Sequence, residues 1–312
     1  MIAINDPAGT AIEFTRAINS HTEHSCRLIT KEIRYNFMFE KDLHLPWLDR
    51  EGWGEVEHLL KTSDVFHFHM TADEYIELGD FRPVDFLKGK AILHHHHGHP
   101  DFRGHPDKYR GKYIRLKRRA IVSTPDLLKL LPEASWQPNL VPINDPDYLP
   151  VREPEGGEIQ VCHAPTRKDL KNTAEFLSVM EGLKRKNPNI SCRLIENTPH
   201  RECLRIKQEC QIHFDHMQGY YGVSSLESLS QGKPVIAGLD EWNQSHIREV
   251  TGGSTLPWVI ARDSVELEQS LERLVAEPSL RAQAGEQSRA FMVSCWNERI
   301  MVKRLANVYE KI

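Results

Sequence analysis

The 312-residue chain is short of charge imbalance, of paired cysteines and of long apolar runs. Each shortage excludes something. Forty Lys and Arg stand against 44 Asp and Glu, and the net charge of −4 argues against nucleic acid as the main partner. No stretch approaches the apolar length needed to span a bilayer. The six cysteines, Cys26, Cys162, Cys192, Cys203, Cys210 and Cys295, form no Cys-x-x-Cys pair. Free thiols in a reducing compartment are the expectation. The opening Met1-Ile2-Ala3-Ile4-Asn5-Asp6-Pro7 has no basic region followed by an apolar core, so no signal peptide and a cytoplasmic location are expected. With 39% hydrophobic and 27% charged residues, wholesale disorder is excluded, and the length allows two domains with full cores. One residue is in excess: there are 17 histidines.

Short aliphatic runs bounded by turn residues predict buried parallel strands at 2–4, 26–29, 65–70, 91–95 and 120–123. Helical patterns fall between them, as at 10–20 and 55–61. The second half repeats the theme, with strands expected at 159–163, 192–195, 211–214, 234–237 and 258–260, and helices at 174–186, 201–209 and 265–276. Alternating strands and helices imply two doubly wound α/β domains. Residues 144–157, rich in Pro, Gly and charge, are the expected linker. The tail 297–312 carries Ile300, Met301, Leu305 and Val308 at the spacing of one helix face.

The most informative stretch is Gly219-Tyr220-Tyr221-Gly222-Val223-Ser224-Ser225-Leu226-Glu227, which continues to Gly232-Lys233-Pro234-Val235. It reads as a glycine-bracketed loop, a short helix, a glycine stop and a buried strand. Free N–H groups and a positive dipole end at such a loop-to-helix junction suit a phosphate. A single carboxylate expected in that helix's first turn, Glu227, can accept both vicinal hydroxyls of a ribose. Ser224 and Glu227 also have the Ser-x-x-Glu spacing of a capping box, and the two readings compete.

These residues resemble the nucleotide-binding half of GT-B glycosyltransferases, most closely the family-4-like retaining enzymes. The match runs from Glu227 to Val235 and extends to Val161-Cys162-His163-Ala164-Pro165-Thr166-Arg167-Lys168-Asp169-Leu170-Lys171. In the family this loop carries an Arg and a following Lys that hold the donor diphosphate. Arg167 and Lys171 fit those roles best, with Lys168 able to replace either. In the first half, Ser63-Asp64-Val65-Phe66-His67-Phe68-His69, His97-Gly98, Ser123-Thr124-Pro125-Asp126 and Pro138-Asn139-Leu140-Val141 resemble family phrases. The resemblance implies two Rossmann-like domains facing across a cleft: an acceptor-side domain at 1–147, a nucleotide-sugar domain at 148–296, and a C-terminal helix at 297–312 returning to the first domain.

It further implies transfer of a sugar, with retention and without a metal, from a UDP-, GDP- or dTDP-linked donor to a glycan, glycolipid or protein hydroxyl. Surface glycan or glycolipid synthesis is the expected setting. No cofactor beyond the nucleotide-sugar co-substrate is expected. Arg167, Lys171 and the backbone around Tyr221, Gly222, Val223 and Ser224 would hold the diphosphate, and Glu227 the ribose. His97 would sit near the sugar. Gly9, His67, Arg103, Gln218 and Gly219 would line the sugar site or cleft. One departure stands out. Eight positions before Glu227, where the family usually has a second carboxylate, this chain has Gly219, preceded by Gln218 and, further back, Asp215. A nucleotide-sugar-binding protein with little or no turnover is therefore the alternative.

The histidines invite a third reading, a metal-dependent hydrolase. His67, His69, His94 to His97 and His99 supply imidazoles. Strand alternation puts His95 and His97 on one face and His94 and His96 on the other, which argues against one cluster of four. No metal is expected. The basic run Lys108, Arg110, Lys112, Arg115, Lys117, Arg118 and Arg119 reads as a solvated helix face, with peripheral contact to an anionic membrane or phosphorylated lipid as the alternative.

Overall fold

Every described strand lies parallel to its neighbours, so each must be covered on both faces. That is why the strand sequences run apolar rather than alternating with charge. The computed structural model describes residues 1–33, 40–152, 157–253 and 255–312. Residues 153–156, part of the expected linker, lie outside the described residues. The chain divides into two units, one of residues 1–139 and 298–312, the other of residues 140–297. The sequence reading places the boundary at 147/148. Residues 140–150 belong to the second unit, where Gln231 donates to the Asp147 carbonyl (2.8 Å) and Arg289 to that of Ile143 (2.9 Å).

The first unit holds strands β1 (Ile2–Ala3), β2 (Ile29–Thr30), β3 (Leu43–His44), β4 (Val65–His69), β5 (Ala91–His96), β6 (Arg119–Val122) and β7 (Ser135–Trp136). Their order is β3-β2-β1-β4-β5-β6-β7. This is the doubly wound order, which reverses direction between β1 and β4. Its helices are α1 (Thr10–His21), α2 (Arg50–Thr62), α3 (Pro100–Gly104), α4 (Pro106–Leu116) and, after the second unit, α11 (Glu298–Tyr309). Phe66 and Phe68 of β4 pack with Val56 and Leu60 of α2 on one face. The opposite face meets α1 and α11: the Phe14 ring lies 5.7 Å from that of His95, and the Tyr309 hydroxyl bonds His67. Gln137 donates to the Met301 carbonyl and fixes α11 to the same unit.

The edge strands β3 and β7 have two residues each, and so have the interior strands β1 and β2. β3 and β7 are too short for a period to register and were not expected. The tail helix differs in phase from its expected stripe. Met301, Val302, Leu305 and Ala306 are buried, whereas Ile300 is exposed. The buried arc follows i, i+1, i+4, i+5, and Ile300 falls outside it.

The second unit holds β8 (Ile159–His163), β9 (Ile190–Leu194), β10 (Ile212–Phe214), β11 (Val235–Ala237) and β12 (Trp258–Ile260), in the order β12-β11-β10-β8-β9. Its helices are α5 (Thr173–Lys186), α6 (His200–Glu209), α7 (Val223–Ser230), α8 (Glu241–Val250), α9 (Ser264–Ala276) and α10 (Pro278–Cys295). Numbered from its own first strand, the sheet runs 5-4-3-1-2, the other common doubly wound order. Val161, Phe176, Ile212, Phe214, Ile236 and Leu267 fill its core. The order reverses between β8 and β10, and ligands of such sheets bind outside the carboxyl ends of the strands at that point.

Candidate functional site: the β8/β10 switch point

Two loops leave the carboxyl ends of β8 and β10. The first carries Arg167 and Lys171, the second Asp215, Gln218, Gly219 and Gly222, and α7 follows. The topology alone therefore brings together most of the residues singled out in the second half of the sequence. Asn172 stitches the loops: its side-chain oxygen accepts from the Met217 N–H (2.9 Å) and the Gln218 amide (3.1 Å).

Helix α7 starts at Gly222 without a side-chain cap from that residue. Ser224 lies inside the first turn and Glu227 beyond it, not in the first turn as expected, so no capping box forms between them. Asp215 serves the helix start instead, accepting from the Gly222 N–H (2.6 Å) and the Ser225 hydroxyl (2.7 Å). Lys171 Nζ stands 3.5 Å from the same carboxylate. Burial pushes the Asp215 carboxyl up, but His216, Lys171 and the Ser225 bond outweigh it and hold it well below the usual carboxylate range. The chain passes close to both groups at Gly222. A Cβ there would stand about 3.1 Å from both Lys171 Nζ and Asp215 Oδ1.

Cations at a helix start are disfavoured by the dipole unless an anion stands between them. The protein supplies its own anions, because Arg167 pairs with Asp169 and Lys171 with Asp215. What survives is the placement of a lysine ammonium and the first-turn N–H groups of α7 around one point.

Glu227 is buried and points to two partners. Its Oε1 accepts from His200 Nε2 (2.8 Å) and its Oε2 from Lys207 Nζ. Lys207 also donates to the Ser224 hydroxyl (2.5 Å). Burial raises the Glu227 carboxyl, yet Lys207 and His200 outweigh burial and bring it down to about 2. Burial lowers the Lys207 ammonium, and the Glu227 charge more than restores it, so both remain ionised. Sequence reasoning missed Lys207 and His200. The signal was present: His200, Leu204 and Lys207 stand at i, i+4, i+7 on one face of α6, with a lysine where an apolar residue is expected.

The Tyr221 ring packs between Trp258 and Trp296, at 5.3 and 5.9 Å, so only its backbone belongs to the loop. Gly219 has φ +88, a conformation that strains any residue with a side chain. That is a physical reason for the missing carboxylate. The nearest acid to where a side chain would begin is Asp240, 3.6 Å away.

The remaining residues lie in the first unit. Gly9, at φ +66, precedes α1, whose first N–H groups at Ala11 and Ile12 are bound by Asp6 (3.1 and 3.0 Å). Arg103 pairs with Asp126 (2.7 Å) and donates to the Gly98 carbonyl (3.2 Å). His97 follows β5, with Nε2 3.0 Å from His69 Nδ1, and burial pushes it down to about 3 against an opposing bond from Asn139. His67 is buried, 2.7 Å from the Tyr309 hydroxyl. In the basic run, Lys108, Arg110, Lys112 and Arg118 are ion-paired to Asp101, Glu133, Asp73 and Glu74.

No protein-family model matches the chain, and no curated protein matches it in sequence. Solved structures do match in fold. HepE of Anabaena, in complex with UDP and glucose, is 12% identical over 100% of this chain and 99% of its own, with a TM-score of 0.68. The fold is GT-B. A glycosyltransferase from Rickettsia africae is 12% identical over 99% of this chain and 97% of its own, with a TM-score of 0.61. A Listeria monocytogenes chain described as a UDP-N-acetylglucosamine 2-epimerase is 11% identical over 100% and 96%, with a TM-score of 0.55. The fold is thus shared by proteins described with different reactions, and the choice among them rests on the site.

Proposed function

We propose that the β8/β10 switch point binds a nucleoside diphosphate sugar and that the protein transfers the sugar to an acceptor hydroxyl. The observation that carries this reading is the meeting of Lys171 with the start of α7 at Gly222, beside a buried, ionised Glu227. In this reading Lys171 turns from Asp215 to the diphosphate. Arg167 and the first-turn N–H groups of Val223 and Ser224 add to it, stabilising the leaving group without a metal. A carboxylate offers about four lone-pair directions. Lys207 and His200 each take one, which fixes Glu227 as an anion with acceptor capacity left for ribose hydroxyls. Gln218 would bond the sugar through its side-chain amide. The HepE complexes with UDP and glucose and with UDP-glucose, on the same fold, support a uridine nucleotide as the first donor to try. Retention of configuration follows the family resemblance.

A second reading, nucleotide-sugar binding with little turnover, is favoured by one observation, a glycine at φ +88 where a carboxylate would stand. Incubation with UDP-, GDP- and dTDP-sugars and a panel of glycan and lipid acceptors separates the two. Transfer product with release of nucleoside diphosphate supports the first reading. Saturable binding with neither transfer nor hydrolysis supports the second. A sugar inverted on an intact donor would replace both with an epimerase.

A further inference from the structure

The face of the first sheet opposite Phe66 and Phe68 carries a stack of imidazoles. β4 and β5 pair in register, His69 opposite His95, and strand alternation then puts His67, His69, His95 and His97 on one face. The ring centroids of His67 and His69 are 4.3 Å apart, those of His67 and His95 5.3 Å, and those of His69 and His95 5.2 Å. One ring nitrogen from each of these three lies within 4.8 Å of the other two. All three side chains are at most 2% exposed.

Their hydrogen bonding is incomplete in a particular way. His67 Nδ1 meets the Tyr309 hydroxyl at 2.7 Å, and His69 Nδ1 meets His97 Nε2 at 3.0 Å. The opposite nitrogens, Nε2 of His67 and Nε2 of His69, have no hydrogen-bond partner among the described residues, and neither has either nitrogen of His95. An unsatisfied buried polar atom costs about 1–3 kcal/mol, so an accumulation of them calls for an account. Donation from each Nδ1 leaves a lone pair on Nε2, the tautomer that an outer hydrogen bond fixes in metal-bound histidines.

We propose that His67, His69 and His95 bind one divalent transition-metal ion of the zinc class, with Tyr309 and His97 orienting the first two rings from outside. Neutral imidazoles suit zinc, copper, nickel and cobalt, while magnesium and calcium require oxygen ligands. Zn–N bonds of about 2.0–2.1 Å place ligand nitrogens about 3.4 Å apart, so small ring rotations close the set. A cavity of about 670 Å³ is lined by His67 and Tyr309 and so reaches one edge of the set. The ion would tie β4 and β5 to α11 through Tyr309. It is a structural site, separate from the switch point of the second unit.

The test uses the purified full chain, stripped with a chelator and titrated with Zn2+ or Co2+ alone. One equivalent is expected to bind and, at a hundredfold excess over Kd, to raise Tm by roughly 5–10 °C. His95→Asn is expected to lose the ion, while His21→Gln, at an exposed position, keeps it. Should His95→Asn fail to fold, the Co2+ spectrum of the parent decides. Tetrahedral d–d bands without thiolate charge transfer place the ion on imidazoles and not on the six cysteines. No binding, thiolate bands, an unchanged Tm, or retention of the ion in a folded His95→Asn variant would each overturn the site.

Discussion

The interiors of the two units solve the same problem differently. In the second unit, Glu227 and Lys207 are both buried, and each supplies the other's counter-charge. In the first, the imidazoles of His67, His69 and His95 are buried beside one another with ring nitrogens left over among the described residues. Burial pushes all three well below the usual histidine range, so they are neutral and supply lone pairs but no balancing charge. A charged pair that balances internally is sensitive to loss of either member. A neutral set that does not balance is sensitive to what fills it.

That contrast orders the expected effects. Lys207→Ala leaves the Glu227 carboxylate buried and unpaired by lysine, and should cost roughly 3–5 kcal/mol in urea unfolding at neutral pH. The double variant Lys207→Met/Glu227→Leu should recover most of that loss. If the single variant costs no more than the double, the pair is not the balanced unit described.

The same pair gives a pH signature. Glu227 sits at about 2 in the folded protein, below its value of 4.5 when unperturbed. The folded state then binds fewer protons than the unfolded state between those values. Its contribution is present above pH 4.5 and is lost as pH falls toward 2, about 3 kcal/mol in all. Glu227→Gln has no such titration. The stability gap between parent and variant should narrow over that window, and a constant gap would contradict the assignment.

At the proposed phosphate subsite, Lys171→Ala should weaken UDP or GDP (whichever binds) by roughly 1.5–3 kcal/mol while leaving the free nucleoside little changed. Equal loss for both would remove Lys171 from the diphosphate. The smallest effect should fall in the imidazole stack. His95→Leu in chelated protein removes unsatisfied nitrogens and should change stability by about 1 kcal/mol or less, whereas the same change in metal-loaded protein should abolish the Tm gain. A large loss in the chelated protein would mean that His95 has a role other than ligation.

How much of this was legible in the sequence depended on whether the cause was local. The five strands of the second unit were placed to within two residues, because each is an apolar run closed by turn residues. The loop-to-helix junction at Gly222 and the cations of the β8 loop were visible for the same reason. What stayed hidden needed two elements at once. Asp215 lies ten residues before Ser225 but caps the helix through a folded loop. Lys207 reaches Glu227 from another helix. The histidine case is the most instructive. Alternation correctly split His94 to His97 into two pairs, and on that ground one cluster of four was discounted. Register with β4 then adds His67 and His69 to the His95/His97 face, and pairing register is a long-range property that no single run of sequence states.

The central claim is that the second unit reads a nucleotide through Glu227 at the ribose and Lys171 at the diphosphate. It is tested most directly by calorimetric titration of the parent protein with UDP, uridine and 2′,3′-dideoxy-UDP, and with the guanosine series. The account predicts that one diphosphate binds best, that its nucleoside binds far more weakly, and that removing the ribose hydroxyls costs at least tenfold in affinity. Equal affinity for the ribose and dideoxyribose diphosphates would contradict it, leaving Glu227 as no more than the buried partner of Lys207.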